Sequence, residues 1–448
     1  MRSPRGKVCN IMNKKQIGNV IRNIDYTLTE TEVELKAEEF VDKIERGLYD
    51  FSSYNRNVFT QQGKKRVIYN YDRLTVENVL CHYLKKQIDK TFNIKYASRS
   101  KIINVLFNTI PVIKDMNDFV ILRIDFKSFF DSVRTEYVYE KYIRMSLMQR
   151  VDKEILEEYI KQFKYCYAGL CLSNGMTEIA CRDFDKRIRA KLDKYGVFFY
   201  ERYVDDMLIM LNSFVPQTKV IELIRETIDE VFEECPVKIN IKPGKFSYIS
   251  KRNLASVQEF DFLGYDFNLI KDANDKISFK YGIAERKIRK YTGIVERAFA
   301  EFKKTGNIEL FRQRLKIYSS RVVIARAIGN SSFDWLTKGV VANYNELRYH
   351  VNDLKNDTET FLKNVYFDLL TKYSCSCPYF LKQSRNEDSI YNLYSNMKRN
   401  RTIVFEKNIG VKKDTILEWF RKIDPMYSDS GKDYYRIVIE YLEQIKVE

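Results

Sequence analysis

The stretch Phe119-Val120-Ile121-Leu122-Arg123-Ile124-Asp125-Phe126-Lys127-Ser128-Phe129-Phe130-Asp131 governs how this chain folds. A short apolar run closed by an acid predicts a buried strand ending on Asp125. Eighty residues further on, Val197-Phe198-Phe199-Tyr200 leads through Tyr203-Val204 to Asp205-Asp206, and Met207-Leu208-Ile209-Met210-Leu211 comes at once after them. This predicts a hairpin with both aspartates at its tip, made without the Asn-Gly or Asp-Gly pair that such turns favour. A turn kept against local preference points to function. Carboxylates gathered at buried strand ends are costly unless a cation accompanies them. The pattern therefore predicts a centre for two divalent ions, with Asp125 and Asp205 bridging and Asp206 in support. Taken alone, an Asp-Asp pair is more often a solvated turn; the motifs that flank it in order argue against that here.

Transfer of a nucleotide to a 3′-hydroxyl needs one ion to activate the attacking oxygen and a second to neutralise the triphosphate, the two lying about 3.5–4 Å apart. The flanking motifs, over residues ~60 to ~325, resemble those of reverse transcriptases. Gln62-Gly63-Lys64-Lys65-Arg66-Val67-Ile68 resembles the family's basic hairpin over the incoming triphosphate, with Lys65 and Arg66 as phosphate contacts; a solvated basic turn is the plain alternative. Residues 125–133 resemble the first palm motif. That resemblance implies that Phe126 joins Asp125 in the nucleotide and metal set, and that Phe130 is the aromatic gate excluding a ribose 2′-hydroxyl, unless it is an ordinary core phenylalanine.

Where the family usually has Pro-Gln-Gly, this chain has Leu172-Ser173-Asn174-Gly175-Met176-Thr177-Glu178, leaving Asn174 and Gly175 to offer an amide and bare backbone to the template-primer pair. From 176 to 194, Cys181, Phe184, Ile188 and Leu192 share one face, and Glu178/Arg182, Asp183/Arg187 and Asp185/Arg189 are spaced for i,i+4 pairs, so a helix is predicted. Ile239-Asn240-Ile241-Lys242-Pro243-Gly244-Lys245 resembles the motif whose lysine protonates the leaving pyrophosphate. Lys245 is the better match, Lys242 the alternative, and a surface lysine the plain reading. Phe260-Asp261-Phe262-Leu263-Gly264-Tyr265-Asp266-Phe267 resembles the primer-grip hairpin, with Phe262, Leu263, Gly264 and Tyr265 as the grip and Gly264 permitting a tight turn and close backbone approach to the primer.

The net charge of +16 fits polyanion binding by counterion release. Between 284 and 326 lie twelve basic and four acidic residues. Ala284, Ile288, Tyr291, Val295, Ala298 and Phe302 recur at helical spacing; Gly306 interrupts, and a second helix is predicted through Ile308, Phe311, Leu315, Tyr318, Val322 and Ala325. Arg286, Lys287, Arg289 and Lys290 open the first of them. After a primer grip, such helices read as a thumb along duplex phosphates, the alternative being a solvated basic face. Helical patterning continues in Leu347, Val351, Leu354, Phe361 and Val365, and over 415–423 and 434–445. The expected architecture is an α+β right-hand polymerase fold: fingers and palm with an antiparallel sheet over 1–283, a helical thumb over 284–330 and an all-helical C-terminal extension over 331–448. Eight cysteines without a Cys-x-x-Cys pair, and two histidines, argue against structural zinc. No run of about 18 apolar residues calls for a membrane span, and a reduced cytoplasmic protein without membrane association is expected.

Among reverse transcriptases, the chain most resembles the bacterial abortive-infection and other defence-associated enzymes. The substituted Leu172-Ser173-Asn174-Gly175 motif, the run Leu310-Phe311-Arg312-Gln313-Arg314-Leu315 and a helical extension in place of a nuclease carry that resemblance. It implies antiphage defence, deoxynucleotide triphosphates as substrates, two Mg²⁺ ions with Mn²⁺ as substitute, and an RNA template or DNA product. It further implies a dedicated non-coding RNA template, or else template-independent or protein-primed synthesis, and leaves open a homo-oligomer or a partner defence protein. Two rivals stand beside it: an RNA-synthesising palm polymerase, opposed by Phe130, and a catalytically silent nucleic-acid-binding scaffold, opposed by the intact aspartates.

Overall fold

The computed structural model describes residues 13–25, 28–61, 64–328, 332–382 and 385–446. Gln62 and Gly63 of the basic hairpin, and the expected thumb boundary at 330/331, lie outside them. The chain is α+β and divides into two compact units, residues 1–253 and 254–448. No helix among the described residues is long and apolar enough to cross a membrane.

The first unit contains a hairpin of β1 (Asn55–Gln61) and β2 (Lys64–Asn70). Its four-stranded antiparallel sheet is built from β3 (Val120–Asp125), β4 (Val197–Tyr203), β5 (Asp206–Leu211) and β6 (Ser247–Ser250), in the order β4-β5-β3-β6. Every residue of the central strand β3 is buried, and all but Arg123 and Asp125 are apolar. Side chains alternate across the sheet: Val120, Leu122 and Ile124 enter a core shared with helices Val76–Thr91 and Cys171–Leu192, and Ile121, Arg123 and Asp125 take the other face. The helix Cys171–Leu192 buries Cys181, Phe184, Ile188 and Leu192 as predicted. Full burial of each large apolar side chain is worth about 1.5–3 kcal/mol. The helix starts at Cys171 and not at 176, so Leu172-Ser173-Asn174-Gly175 forms its first turn and no preceding loop.

The second unit opens with a three-stranded meander, β7 (Val257–Phe262), β8 (Tyr265–Lys271) and β9 (Ile277–Ile283), which leads into helices Glu285–Thr305 and Ile308–Tyr318. The first of these helices ends at Gly306, whose φ of +68° closes it, as the sequence predicts. The second ends at Tyr318. Val322 and Ala325, expected in that helix, lie in β10 (Arg321–Ile328), which pairs antiparallel with β11 (Ser332–Lys338) and parallel with β12 (Thr402–Phe405). Ser319 and Ser320 break the helix, and the β-branched run Val322-Val323-Ile324 suits a pleated strand better than a crowded helix. The all-helical extension is therefore corrected to a mixed one. In it, Val322 and Ile324 pack with Phe405 and with Ile416, Phe420, Ile437 and Tyr441 of helices Lys413–Ile423 and Tyr434–Gln444.

The units part at 253/254 and not at 283, the expected end of fingers and palm, because the meander is bonded to residues 355–358 of the second unit. Ile283 N donates to Thr358 Oγ1 at 2.9 Å, Lys355 N donates to Tyr281 O at 2.8 Å, and a Cβ on Gly282 would stand 2.6 Å from Thr358 Oγ1.

Candidate active site

Asp125 and Asp206 stand directly opposite each other in the β3–β5 register, and Val204-Asp205 forms the two-residue turn between β4 and β5. Val204 has φ +61°, a left-handed conformation in which a β-branched residue is a genuine outlier costing on the order of 1–3 kcal/mol. Two bonds hold the turn there: Arg202 Nη1 donates to Val204 O at 3.0 Å, and Phe126 N donates to Asp205 O at 3.1 Å. Arg202 is itself buried between Glu178, at 2.7 Å, and Asp185, at 2.9 Å. Helical spacing in the sequence pairs those two acids with Arg182 and Arg189. Instead, Arg182 donates to Phe92 O and Arg189 to Tyr200 O, and of the three expected pairs Asp183–Arg187 forms, at 3.1 Å. Sequence reasoning missed Arg202, whose one signal is the charged pair Glu201-Arg202 inside the run Val197–Tyr203.

Asp125, 5% exposed, is held on three sides. Lys245 Nζ lies 3.0 Å from Oδ1, Asn240 Nδ2 donates to Oδ2 at 3.0 Å, and Asn240 N donates to the Asp125 carbonyl at 2.8 Å. Lys245, and not the exposed Lys242, thus reaches the site. Asp206 is bonded to the buried Arg123 at 3.1 Å. Asp205 carries the strain: burial first, then the charges of Asp125 and Asp206, push its pKa up to about 6.

Among the described residues, no three carboxylate, thiolate or imidazole groups close into a ligand cluster, and Lys245, Asn240 and Arg123 engage Asp125 and Asp206. The donors nonetheless suit a hard divalent cation, being oxygens with an excess of negative charge around Asp205, and the buried Asn240 Oδ1 has no hydrogen-bond partner. Phe126 fits only through its backbone. Its ring is 1% exposed, stacked on Phe129 at 5.1 Å and edge-on to Phe184 and Phe232, and so packs in the core. The bonds flanking its bridge to Ile239 run from Lys127 N to Lys238 O and from Asn240 N to Asp125 O, and leave the Phe126 carbonyl unused in that ladder.

The raised pKa of Asp205 carries a stability prediction. Because it lies above the ordinary 3.8, the associated stability is full below about pH 4 and is lost as pH rises through about 6. Asp205→Asn should therefore stabilise the metal-free protein at pH 8 by roughly 1–3 kcal/mol. In melting curves with EDTA, the variant should exceed wild type at about pH 8 and match it near pH 4, and added Mg²⁺ should narrow the gap. Equal melting at the higher pH would show that no such repulsion exists.

The remaining expected residues divide. Phe130 is half-buried beside the fully buried Phe129, with ring centroids 5.9 Å apart, which leaves part of its ring accessible. Lys65 and Arg66 stand exposed on β2, in a sheet separate from the aspartates. Asn174 is exposed, but Gly175 is not: a Cβ there would meet Ile88 at 3.3 Å, so this glycine serves helix packing and offers no bare backbone. In the second unit, Leu263 and Gly264, at φ +51° and +83°, form the β7–β8 turn as the motif predicts. Phe262 and Tyr265 are fully buried there, with the Tyr265 hydroxyl bonded to Glu346, so their rings do not face a primer. Arg286 is tied to Asp261 at 3.1 Å, and the Lys287 stem lies 3.4 Å from where a Cβ on Gly264 would stand. Arg289 and Lys290 are exposed.

Residues 61–267 match the family model described as reverse transcriptase (RNA-dependent DNA polymerase). No curated protein sequence gives a match. Similar solved structures include telomerase from Candida albicans in complex with a fragment of telomeric RNA, at 12% identity and a TM-score of 0.39, covering 88% of this chain and 65% of that one. Another is apo telomerase from Candida tropicalis truncated from its C-terminal domain, at 12% identity and a TM-score of 0.34, covering 56% and 60%. The chain thus spans 65% of the length of the first telomerase and 60% of the second. The segment 61–267, which matches the reverse transcriptase (RNA-dependent DNA polymerase) family, is the one that carries Asp125, Asp205, Asp206 and Lys245.

Proposed function

We propose that the chain copies RNA into DNA at the Asp125–Asp205 centre, with the β1–β2 hairpin as fingers, β3–β6 as palm and helices Glu285–Thr305 and Ile308–Tyr318 as thumb. The observation that carries this reading is the placing of Asp125 opposite Asp206 with Asp205 in the turn beside them, inside the segment that matches the reverse transcriptase family and with a lysine on Asp125. Two Mg²⁺ ions, or Mn²⁺ in their place, would be held by Asp125, Asp205 and the Phe126 carbonyl, and would supply Lewis acidity to the 3′-hydroxyl and the triphosphate. Lys65 and Arg66 hold the triphosphate. Lys245 gives its proton to the leaving pyrophosphate oxygen. Arg289 and Lys290 meet duplex phosphates, and Arg286 keeps the thumb helix on its hairpin.

Phe130 selects the sugar by clash. Phe130→Val is expected to lower the preference for deoxynucleotides over ribonucleotides on the order of 10–100-fold. Single-nucleotide incorporation with each sugar measures it. A wild type that already uses both sugars equally would favour the RNA-synthesising rival.

The biological setting we propose is bacterial antiphage defence in the cytoplasm. Synthesis there is directed by a dedicated non-coding RNA or proceeds without a template or from a protein primer, alone, as a homo-oligomer or with a partner defence protein. Two features support this setting, the Leu172-Ser173-Asn174-Gly175 substitution and the Leu310 to Leu315 run; the all-helical extension no longer does. Purifying the protein from its host and sequencing its bound nucleic acid tests the proposal. One recurrent small RNA or a DNA of defined repeat supports it, and a random sample of cellular RNA speaks against it.

A further inference from the structure

We propose that Arg321 and Arg348 form, with Tyr349, a binding site for an unpaired strand of nucleic acid, taking a backbone phosphate on the two guanidiniums and a base on the tyrosine ring. The site lies in the second unit, outside the segment that matches the reverse transcriptase family, and does not depend on the aspartate centre. Its keystone is Asn400, on which the helix Leu393–Arg399 stops at φ +52°. Glycine is the usual residue at such a stop; asparagine tolerates it and adds an amide. In the orientation that satisfies both ends of that amide, its oxygen accepts from Arg348 Nη1 at 2.8 Å and from Arg321 Nη1 at 3.0 Å, and its nitrogen donates to Asn345 Oδ1 at 2.7 Å.

Arg348 also donates to Asn345 Oδ1 at 3.1 Å and to the Tyr349 hydroxyl. Among the described residues, every acceptor of the two guanidiniums is therefore neutral. Acids of the adjoining segments are engaged elsewhere: Glu387 and Asp388 pair with Arg399, and Glu346 bonds the Tyr265 hydroxyl. Two half-buried cations drawn to one amide oxygen repel each other, and a carboxylate at position 400 would relieve them at once. An arrangement that keeps both charges and withholds the carboxylate suits an anion that comes and goes. The Nε and Nη2 of Arg321 meet no acceptor among the described residues, and that edge of the fork matches two oxygens of a phosphate.

The frame behind these groups is fixed. Asn396, 1% exposed, donates to Ser319 O at 3.0 Å and to Ile390 O at 2.7 Å, and Arg401 N donates to Asn396 O at 2.9 Å. Arg321 N donates in turn to Arg401 O at 2.9 Å, so the turn bearing Asn400 is stitched to the start of β10. Tyr349 is 68% exposed, with the Arg348 guanidinium over its ring at 4.4 Å, and most of the ring is open to a stacking partner. That partner must be an unpaired base, because a base inside a duplex is already stacked on both faces. Lys398 and Arg401, in the same turn as Asn400, extend the positive charge beyond a single phosphate, as a strand requires and a free nucleotide does not.

The test uses the full chain as wild type, Asn400→Asp and Arg321→Gln, with a short oligo(U) carrying 4-thiouridine as probe. The probe is irradiated on the protein in EDTA, and crosslinks are mapped to residues by mass spectrometry. Wild type should crosslink at Tyr349. Asn400→Asp supplies the withheld carboxylate, so it should melt at or above the wild-type temperature and yet lose that crosslink about tenfold or more. Arg321→Gln should lose it about fivefold or more and lower the logarithmic salt slope of its yield by ~0.7, one phosphate contact of a single strand. The same probe annealed into an RNA duplex should crosslink there about tenfold less or weaker still. A deoxyuridine version of the probe shows whether the site prefers RNA or DNA, and a Tyr349 crosslink from either supports it. No crosslink at Tyr349 in wild type, an equal one in folded Asn400→Asp, or one as strong from the duplex overturns the proposal. Displacement of the probe by equimolar UMP does so too, by assigning the site to a free nucleotide. If Asn400→Asp does not fold, Arg321→Gln decides. A wild type that makes no polymer refutes the polymerase reading alone, because the crosslink needs no catalysis.

Discussion

Arg202→Met is expected to lower the unfolding free energy by about 3–5 kcal/mol and to silence synthesis, although the Arg202 guanidinium bonds Glu178, Asp185 and the Val204 carbonyl, none of them a proposed metal ligand. The methionine would leave Glu178 and Asp185 facing each other without their shared cation, and a buried carboxylate robbed of its partner is more costly than the pair was ever favourable. It would also release the Val204 carbonyl, which the Arg202 guanidinium holds in a turn that valine does not adopt on its own. Asp205 comes directly after Val204, so relaxation of the turn moves a metal ligand. Urea denaturation and incorporation assays on Arg202→Met and Arg202→Lys measure both effects, the lysine recovering part of the stability. A methionine variant as stable and active as wild type would mean that the turn is held elsewhere.

The second large effect is chemical. Asp125→Ala and Asp205→Ala are each expected to reduce deoxynucleotide incorporation on the order of 10³-fold or more, because several kcal/mol of charge stabilisation at the reacting phosphate depend on ions these carboxylates would hold. The two should differ in stability. Asp205→Ala removes a repelled charge, whereas Asp125→Ala strips Lys245 and Asn240 of their acceptor. Loss of activity accompanied by unchanged or improved melting in Asp205→Ala separates chemistry from folding.

What is legible in the sequence is what one element can declare by itself. The strand ending on Asp125, the hairpin bearing Asp205, the helix holding Phe184 and Ile188, and the stop at Gly306 all come from local pattern, and Lys245 from its motif. What escapes depends on partners distant in sequence. Arg123 and Arg202 look like stray charges in apolar runs, and their meaning comes from Asp206, Gly244, Glu178 and Asp185. Phe262 and Tyr265 belong to a motif that resembles a primer contact, yet the pleat turns both rings inward and leaves the Leu263-Gly264 turn. Val322 and Ala325 fit a helical period by coincidence, because so short an apolar run satisfies both periods. Gly175 reads in sequence as a feature of substrate handling, whereas the close approach of two helices requires it.

The most direct measurement is incorporation of labelled deoxynucleotides by the purified full chain on a primed RNA template, with Mg²⁺ and with EDTA, beside Asp205→Ala at equal folded concentration. We expect Mg²⁺-dependent DNA synthesis by wild type, abolished by EDTA and by the alanine substitution while the fold is retained. Synthesis that persists at the wild-type rate in folded Asp205→Ala would remove the Asp125–Asp205 centre from the chemistry.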